Sequence, residues 1–227
     1  MTDADAVCVV IPAFNEAPVI AAVVADVRAR YPNVVVVDDC SSDDTGALAL
    51  SAGAIVLRHA INLGQGAALQ TGIRYAIERR APFIVTFDGD GQHRVDDIAA
   101  LCERQRETGA DVVIGSRFLG APQQIPRLRR LLLRAAVVAT RLNTGMRLSD
   151  THNGLRLFTR HAAKAIGIRQ NGMAHASEII EQIRASRLSV AECPVTVLYT
   201  EYSLRKGQRL SNAVNILAEL FVARLHK

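Results

Sequence analysis

The sequence predicts an α/β fold with a mostly parallel central sheet and helices on both faces. Three observations point to it. Short runs rich in β-branched residues, such as the four valines at 34–37, read as strands buried on both faces. Helical patterns alternate with these runs, which implies βαβ units with right-handed crossovers. Acidic groups close two of the runs, Asp38-Asp39 and Asp88-Gly89-Asp90, at the carboxyl ends where open α/β sheets bind ligands.

Taken in order, residues 6–12 read as a strand closed by a proline and 17–30 as a helix. A strand over 34–39 precedes a helix over 43–52, whose entry carries serines and aspartates suited to capping. Residues 54–59 form a strand, and the helix over 66–80 enters through the glycine-punctuated segment Asn62-Leu-Gly-Gln-Gly-Ala-Ala68. A strand over 82–87, a helix over 96–107 and a strand over 111–115 complete this half. Beyond Ser116 the pattern changes. A loop over 120–126 leads to a basic amphipathic helix over 127–142, then a strand over 154–158 and helices near 161–167 and 175–185. A strand over 189–199 precedes a helix over 210–225 whose polar residues form one narrow stripe, too apolar for a freely solvated element. With no repeat or linker, 1–227 reads as one domain, with a ligand-binding half over 1–118 and a second half over 119–227.

Composition narrows the function classes. At 49% apolar residues the chain is globular, and 4% aromatics without tryptophan argue against single-stranded nucleic-acid binding by base stacking. The net charge of +5 is uneven, with acids at the strand ends and arginines crowded between Arg104 and Arg160. A basic segment beside an acidic pocket suits a metal next to a phosphate-bearing partner. Cys8, Cys40, Cys102 and Cys193 lack metal-ligand spacing and read as core or near-core thiols of a reducing compartment. The polar N-terminus and the lack of an apolar run near the roughly 20 residues of a spanning helix predict a soluble or peripheral protein.

The strongest local signal is Phe87-Asp-Gly-Asp-Gly-Gln-His93 after a buried strand. Asp88 and Asp90, two apart around Gly89, can converge on one hard cation, and Gln92 adds an oxygen. Mg²⁺ or Mn²⁺ held there would neutralise a diphosphate leaving group. Capping explains Ser41, Ser42 and Asp43 but not two acids at one strand end, where a base or ribose can bind. Gly66 marks a helix entry open to close approach by a phosphate.

In this order the segments I-P-A-F-N-E (11–16), V-D-D-C-S-S-D-D-T (37–45), N-L-G-Q-G-A-A (62–68), D-G-D-G-Q-H (88–93), G-S-R-F (115–118) and S-D-T-H-N-G-L-R-L-F (149–158) resemble glycosyltransferase family 2. The branch is that of dolichyl-phosphate mannose synthase and bacterial polyprenyl-phosphate sugar transferases. The resemblance implies the GT-A fold, a UDP- or GDP-sugar donor, Mg²⁺ or Mn²⁺, and inversion at the anomeric carbon. It further implies that Pro12, Ala13, Asn15 and Glu16 line the nucleotide pocket with Asp39 near the base. Asp88, Asp90 and Gln92 match metal and diphosphate positions. Arg117 matches a position near a donor or acceptor phosphate, with Arg130 in a similar part, and Asp150 is the candidate base or acceptor-orienting group. Gln65 stands where the family commonly has lysine, and Arg134 where relatives often carry serine.

Arg156 can pair with Asp150 or with a phosphate, and the arginines of the basic helix favour a phosphate acceptor because guanidinium groups bind phosphate oxygens bidentately. Arg205 and Lys206 lie in a loop suited to closing on the diphosphate. Glu178 reads as an exposed first-turn glutamate, and among the histidines only His93, beside the metal motif, earns attention. The sequence therefore predicts transfer of a sugar to a polyprenyl phosphate. A sugar hydroxyl acceptor and a non-catalytic nucleotide-sugar-binding subunit are the alternatives. The basic helix and the apolar 210–225 helix predict peripheral attachment at the cytoplasmic membrane face, with a small membrane partner or a second copy of the chain.

Overall fold

Helices and strands alternate as the sequence predicts through the first half: β1 (Val7–Ala13), α1 (Ile20–Arg28), β2 (Asn33–Asp38), α2 (Thr45–Ser51), β3 (Ile55–Arg58), α3 (Gln65–Glu78), β4 (Phe83–Thr86), α4 (Asp96–Thr108) and β5 (Val112–Ser116). The second half adds β6 (Arg156–Thr159), α5 (Arg160–Ala165), α6 (His175–Ala185) and β7 (Val190–Pro194). The computed structural model describes residues 4–120, 137–138, 141, 145–172, 174–198 and 202. The predicted helix over 210–225 and nearly all of that over 127–142 lie outside them.

The described strands form one sheet in the order β3-β2-β1-β4-β6-β5-β7. β1 pairs in parallel with β2 and β4, β2 with β3, and β5 with β7. Only β6 runs the other way, antiparallel to both β4 and β5. Its insertion brings the turn over 149–155, which leads into β6, beside the carboxyl ends of β4 and β5.

β1 tolerates a proline at the centre of the sheet for a geometric reason. The Val10 carbonyl accepts from Phe87 N–H on the β4 side, and the Ala13 carbonyl accepts from Asp39 N–H on the β2 side. Alternation places Pro12 on the same side as Val10, where pairing with β4 ends at Val10–Thr86. The missing N–H of proline therefore faces no ladder.

Strand alternation also builds two cores. Val7, Val9, Ile11, Val34 and Val36 meet Val24 and Val27 of α1, Ala49 of α2, and Ile98 and Leu101 of α4 on one face. Cys8, Val10, Val35 and Val37 meet Leu69 and Ile73 of α3, Ala162 of α5, and Ile180 and Ile183 of α6 on the other. A fully buried side chain of this kind contributes about 1.5–3 kcal/mol. Cys8 and Cys193 are buried thiols, and no described cysteine is disulfide-bonded.

Several boundaries differ from the prediction. α1 begins at Ile20 because the chain first turns, with Ala17 N–H held by Asp43 Oδ2 at 3.2 Å. β7 stops at Pro194 opposite Ser116, the end of β5, rather than running to 199. Val197 then meets His93 in an isolated antiparallel bridge. α5 starts at Arg160 because Thr159 caps it, its hydroxyl accepting from Ala162 N–H at 3.2 Å. Among the described residues no helix is long and apolar enough to cross a membrane.

Candidate active site

The loops that leave β1 and β2 are laced together. Asn15 N–H donates to Ser41 Oγ at 3.0 Å, Ser42 N–H to Asn15 Oδ1 at 2.8 Å, and Glu16 N–H to Thr45 Oγ1 at 2.8 Å. Asn15 and Cys40 hold left-handed backbone, φ 53° and 63°, on these facing loops. Ser41 and Ser42 thus tie the loops rather than cap α2, which has no side-chain cap at its N-terminus. Pro12 and Ala13 are buried at the end of β1. Glu16 is nearly buried, and its Oε2 accepts from the Tyr202 hydroxyl at 2.7 Å.

The acid pair after β2 is engaged internally. Asp38 is fully buried, accepts from Ser41 N–H at 2.9 Å and lies 3.5 Å from Arg58 Nη1. Asp39 accepts from Leu63 N–H at 2.9 Å and Gly64 N–H at 2.6 Å, and pairs with His59 Nδ1 at 2.7 Å. A carboxylate offers about four acceptor positions. The expected base contact of Asp39 is therefore reduced to one remaining acceptor, and its main part is to hold loop 62–64. His59, which the sequence left without a role, bridges Asp39 to Thr71 Oγ1 of α3 at 2.9 Å.

Gly66 corrects the prediction more sharply. Its N–H donates to the Asn171 carbonyl at 2.8 Å, and an added Cβ would lie 2.0 Å from the Gln170 carbonyl oxygen. The close approach that needs glycine is to residues 170–171 of the same chain, so no phosphate can take that place. Glu178 is likewise not an exposed helix-dipole partner. It is half-buried and accepts from Arg169 N–H at 3.1 Å and Gln170 N–H at 2.8 Å, fixing the same segment.

The loop after β4 carries the metal motif. Asp88 accepts from His93 Nε2 at 2.9 Å and from Gln65 Nε2 at 3.3 Å, and its side chain stays 28% exposed. Gln65, where lysine was the family expectation, thus reaches the motif as a neutral amide. Burial opposes the Asp88 charge, but the His93 hydrogen bond and the positive surroundings of His175 and Arg156 outweigh it and hold the carboxyl below its usual range. Asp90 behaves oppositely. Burial, then the charges of Asp88 and Glu16, push it up to about 6. Gln92 N–H donates to Asp90 Oδ1 at 3.0 Å, while its Nε2 is buried without a partner. Gly89 lets the loop press on β1, since a Cβ there would sit 3.2 Å from the Pro12 carbonyl oxygen.

Among the described residues no three His, Cys, Asp or Glu side chains form a ready metal cage. The donor set nevertheless fits a hard cation. Burial and the neighbouring acids at Asp90 outweigh the compensating His93, Gln92 offers a carboxamide oxygen, and a Mg²⁺-type site keeps places for substrate phosphates.

A buried ion pair joins the two halves. Arg117 Nε donates to Asp150 Oδ2 at 2.6 Å, Arg117 N–H to the same oxygen at 3.2 Å, and Nη2 to the His152 carbonyl at 3.2 Å. Asp150 is 1% exposed and also receives His152 N–H at 3.2 Å. Asp150 was expected as a base or an acceptor-orienting group; its carboxylate is instead engaged by Arg117 and the His152 N–H and is closed to solvent. Arg156 is 2% exposed, donates from Nη2 to the Thr151 carbonyl at 2.9 Å, and leaves Nε buried without a partner. Burial pulls it down to about 10 against the opposing charges of Asp150 and Asp88. Burial and Arg156 together lower His152 to about 4. The strands β4, β5 and β6 therefore bring the Asp88–His93 and Arg117–Asp150 pairs close together, with Arg156 within electrostatic reach of both Asp88 and Asp150. Arg130, Arg134, Arg205 and Lys206 lie outside the described residues. Glu192 and His175 escaped the sequence reading, for no local pattern distinguishes them, and Ser149 entered it only as part of the 149–158 motif.

Residues 8–167 match the family model described as glycosyl transferase family 2. The chain belongs to that family. This family 2 glycosyltransferase is 34% identical over 226 residues to an uncharacterised protein of Methanocaldococcus jannaschii, covering 97% of this chain and 93% of the other. It is 29% identical to the UDP-N-acetylglucosamine–dolichyl-phosphate N-acetylglucosaminyltransferase of Methanococcus voltae, covering 96% of both chains. Among solved structures, glucosyl-3-phosphoglycerate synthase of Mycobacterium tuberculosis, in complex with Mn²⁺ and UDP-glucose, aligns with a TM-score of 0.72 at 19% identity. That alignment covers 96% of this chain and 78% of the synthase. The shared GT-A fold accounts for the sheet of this family 2 glycosyltransferase.

Proposed function

We propose that this glycosyltransferase moves a sugar, with inversion, from a UDP- or GDP-sugar to a polyprenyl (dolichyl-type) phosphate. The observation that carries the reading is the position of Arg156. It lies buried between the Asp88 loop and the Asp150 turn, with Nε unpartnered and the Arg117–Asp150 pair beside it. Guanidinium charge at the boundary of the two halves suits a phosphate, which it binds through directed N–H groups. A lipid phosphate is already ionised at neutral pH and needs orientation rather than deprotonation, which agrees with Asp150 being occupied by Arg117. The dolichyl-phosphate acceptor named for the Methanococcus relative supports the same acceptor class.

Asp90 and Gln92, with Asp88, are the residues to hold Mg²⁺ or Mn²⁺, and the Mn²⁺ in the structural neighbour supports that assignment. A bound cation supplies charge neutralisation at the departing diphosphate. Pro12, Ala13, Asn15 and Glu16 line the nucleotide side, with Asp39 and Gly89 shaping it from behind. Arg130, Arg134, Arg205 and Lys206 enter as further phosphate contacts on sequence alone. Peripheral attachment at the cytoplasmic membrane face, through a small membrane partner or a second copy, belongs to the same proposal.

The test is transfer from a panel of UDP- and GDP-sugars with Mg²⁺ or Mn²⁺, with and without undecaprenyl or dolichyl phosphate, beside Asp90→Ala. Metal-dependent transfer to the lipid phosphate that the variant loses is the expected result. Donor binding with transfer only to a glycan hydroxyl would replace the acceptor, and absence of donor binding would end the proposal.

A further inference from the structure

We propose that Glu192, on strand β7, is the positioning residue that sets Arg117 and Asp150 in the site, an inference that rests on reading this pair as an acceptor-side group. Glu192 Oε1 accepts from Ser149 N–H at 2.8 Å, Ser149 Oγ at 2.7 Å and Asp150 N–H at 3.3 Å. The residues it holds are 42 and 43 positions away in sequence, so the contact exists only because of the tertiary fold.

Proton counting gives the array a direction. An ionised carboxylate only accepts, so the single hydroxyl proton of Ser149 is donated to Glu192. Ser116 Oγ lies 2.6 Å from Ser149 Oγ and must then be the donor in that pair, while Ser116 Oγ itself accepts from Phe118 N–H at 3.2 Å. The relay runs from Phe118 through Ser116 and Ser149 to Glu192, and it brackets Arg117 on both sides. Asp150, anchored through its own N–H, returns to Arg117 Nε and N–H. The backbone around Glu192 is fixed in turn. β7 pairs Glu192 with Ile114 of β5, and Arg104 Nε donates to the Glu192 carbonyl at 3.2 Å. One side chain thus couples the edge strand to both members of the buried ion pair. Hydrogen-bonded partners of this kind fix a functional group's orientation without touching substrate.

The experiment compares E192Q and E192A with wild type. The first readout is solvent exchange of the Arg117 Nε–H proton, observed by ¹⁵N NMR and identified by its loss in R117K. The second is transfer kinetics with donor and lipid phosphate varied separately. E192Q retains an acceptor oxygen for both backbone N–H groups and should keep the Arg117 proton protected with transfer within about threefold of wild type. E192A should speed exchange at least about tenfold and lower kcat/KM for the acceptor about tenfold, with the donor KM unchanged. If E192A does not fold, E192M, of similar volume but without an acceptor oxygen, removes the same backbone contacts and should give the same two changes. Unaltered Arg117 exchange in E192A or E192M, or equal loss in E192Q and E192A, overturns the inference. A wild type that does not act on lipid phosphate overturns the acceptor reading instead, and the exchange rates still decide the part played by Glu192.

Discussion

Replacing Gly154 by alanine separates the placement of Asp88 from the stability of the fold. Gly154 has no left-handed backbone, so alanine meets no conformational barrier there. Its added Cβ would stand 2.3 Å from Asp88 Oδ2 and 2.5 Å from Oδ1, against the 3.4 Å at which ordinary contact begins. The carboxylate must therefore shift by about 1 Å, and Oδ2, the atom pressed most closely, is the one bonded to His93 Nε2. A displacement of about 1 Å at a reacting centre lowers the rate about 100-fold. Because the Asp88 side chain is 28% exposed and can swing as a whole, overpacking should approach only the lower end of the usual range of about 1–3 kcal/mol. Gly72 is the control. Its Cβ would lie at the same 2.3 Å, but from Val10 Cγ1, a branched side chain on the central strand with nowhere to turn. Gly72→Ala should destabilise by about 1–3 kcal/mol while its folded fraction keeps wild-type turnover. The assay pairs urea denaturation with sugar transfer corrected for folded protein. Transfer by Gly154→Ala above a third of wild type would show that Asp88 does not need this position, and the reasoning would fail.

Two further predictions concern the buried charges. Asp150→Ala removes the carboxylate bonded to Arg117, 7% exposed, and one of the two that act on Arg156, 2% exposed. It should destabilise by about 3–5 kcal/mol in chemical denaturation; a change under about 1 kcal/mol would mean the pair is solvated in solution. His152 is lowered from 6.5 to about 4, so the unfolded chain takes up a proton that the folded chain refuses. Its contribution is complete above about pH 6.5 and declines as the pH falls towards 4, by roughly 3 kcal/mol at most. Urea midpoints measured across that window for wild type and His152→Gln should converge at low pH relative to pH 7.5. Parallel curves would rule out His152 as the source.

The sequence by itself determined the α/β class, the buried strands of the first half and the acidic motifs at their carboxyl ends. Those features are local: a strand buried on both faces must be apolar throughout, and the loop that follows it carries the polar groups a ligand needs. The Asp88–Gln92 motif was legible for that reason, whereas Arg117, immediately after β5, was singled out only through the family resemblance. The tertiary structure decided the rest. Antiparallel insertion of β6 between β4 and β5 depends on pairing across 70 or more residues to β4 and 42 or more to β5, which no local period encodes. That insertion brings Asp150 and Arg156 to the metal loop. Hydrogen-bond partners, too, are set by which groups meet. Asp39 and Gly66 looked like ligand contacts and proved to be engaged with loop 62–64 and residues 170–171, while Gln65, noted only as a departure from the family's lysine, and Glu192, unremarkable in sequence, bond to Asp88 and to the Asp150 turn. Composition reveals which groups need partners, but only the fold determines whether the chain or a ligand supplies them.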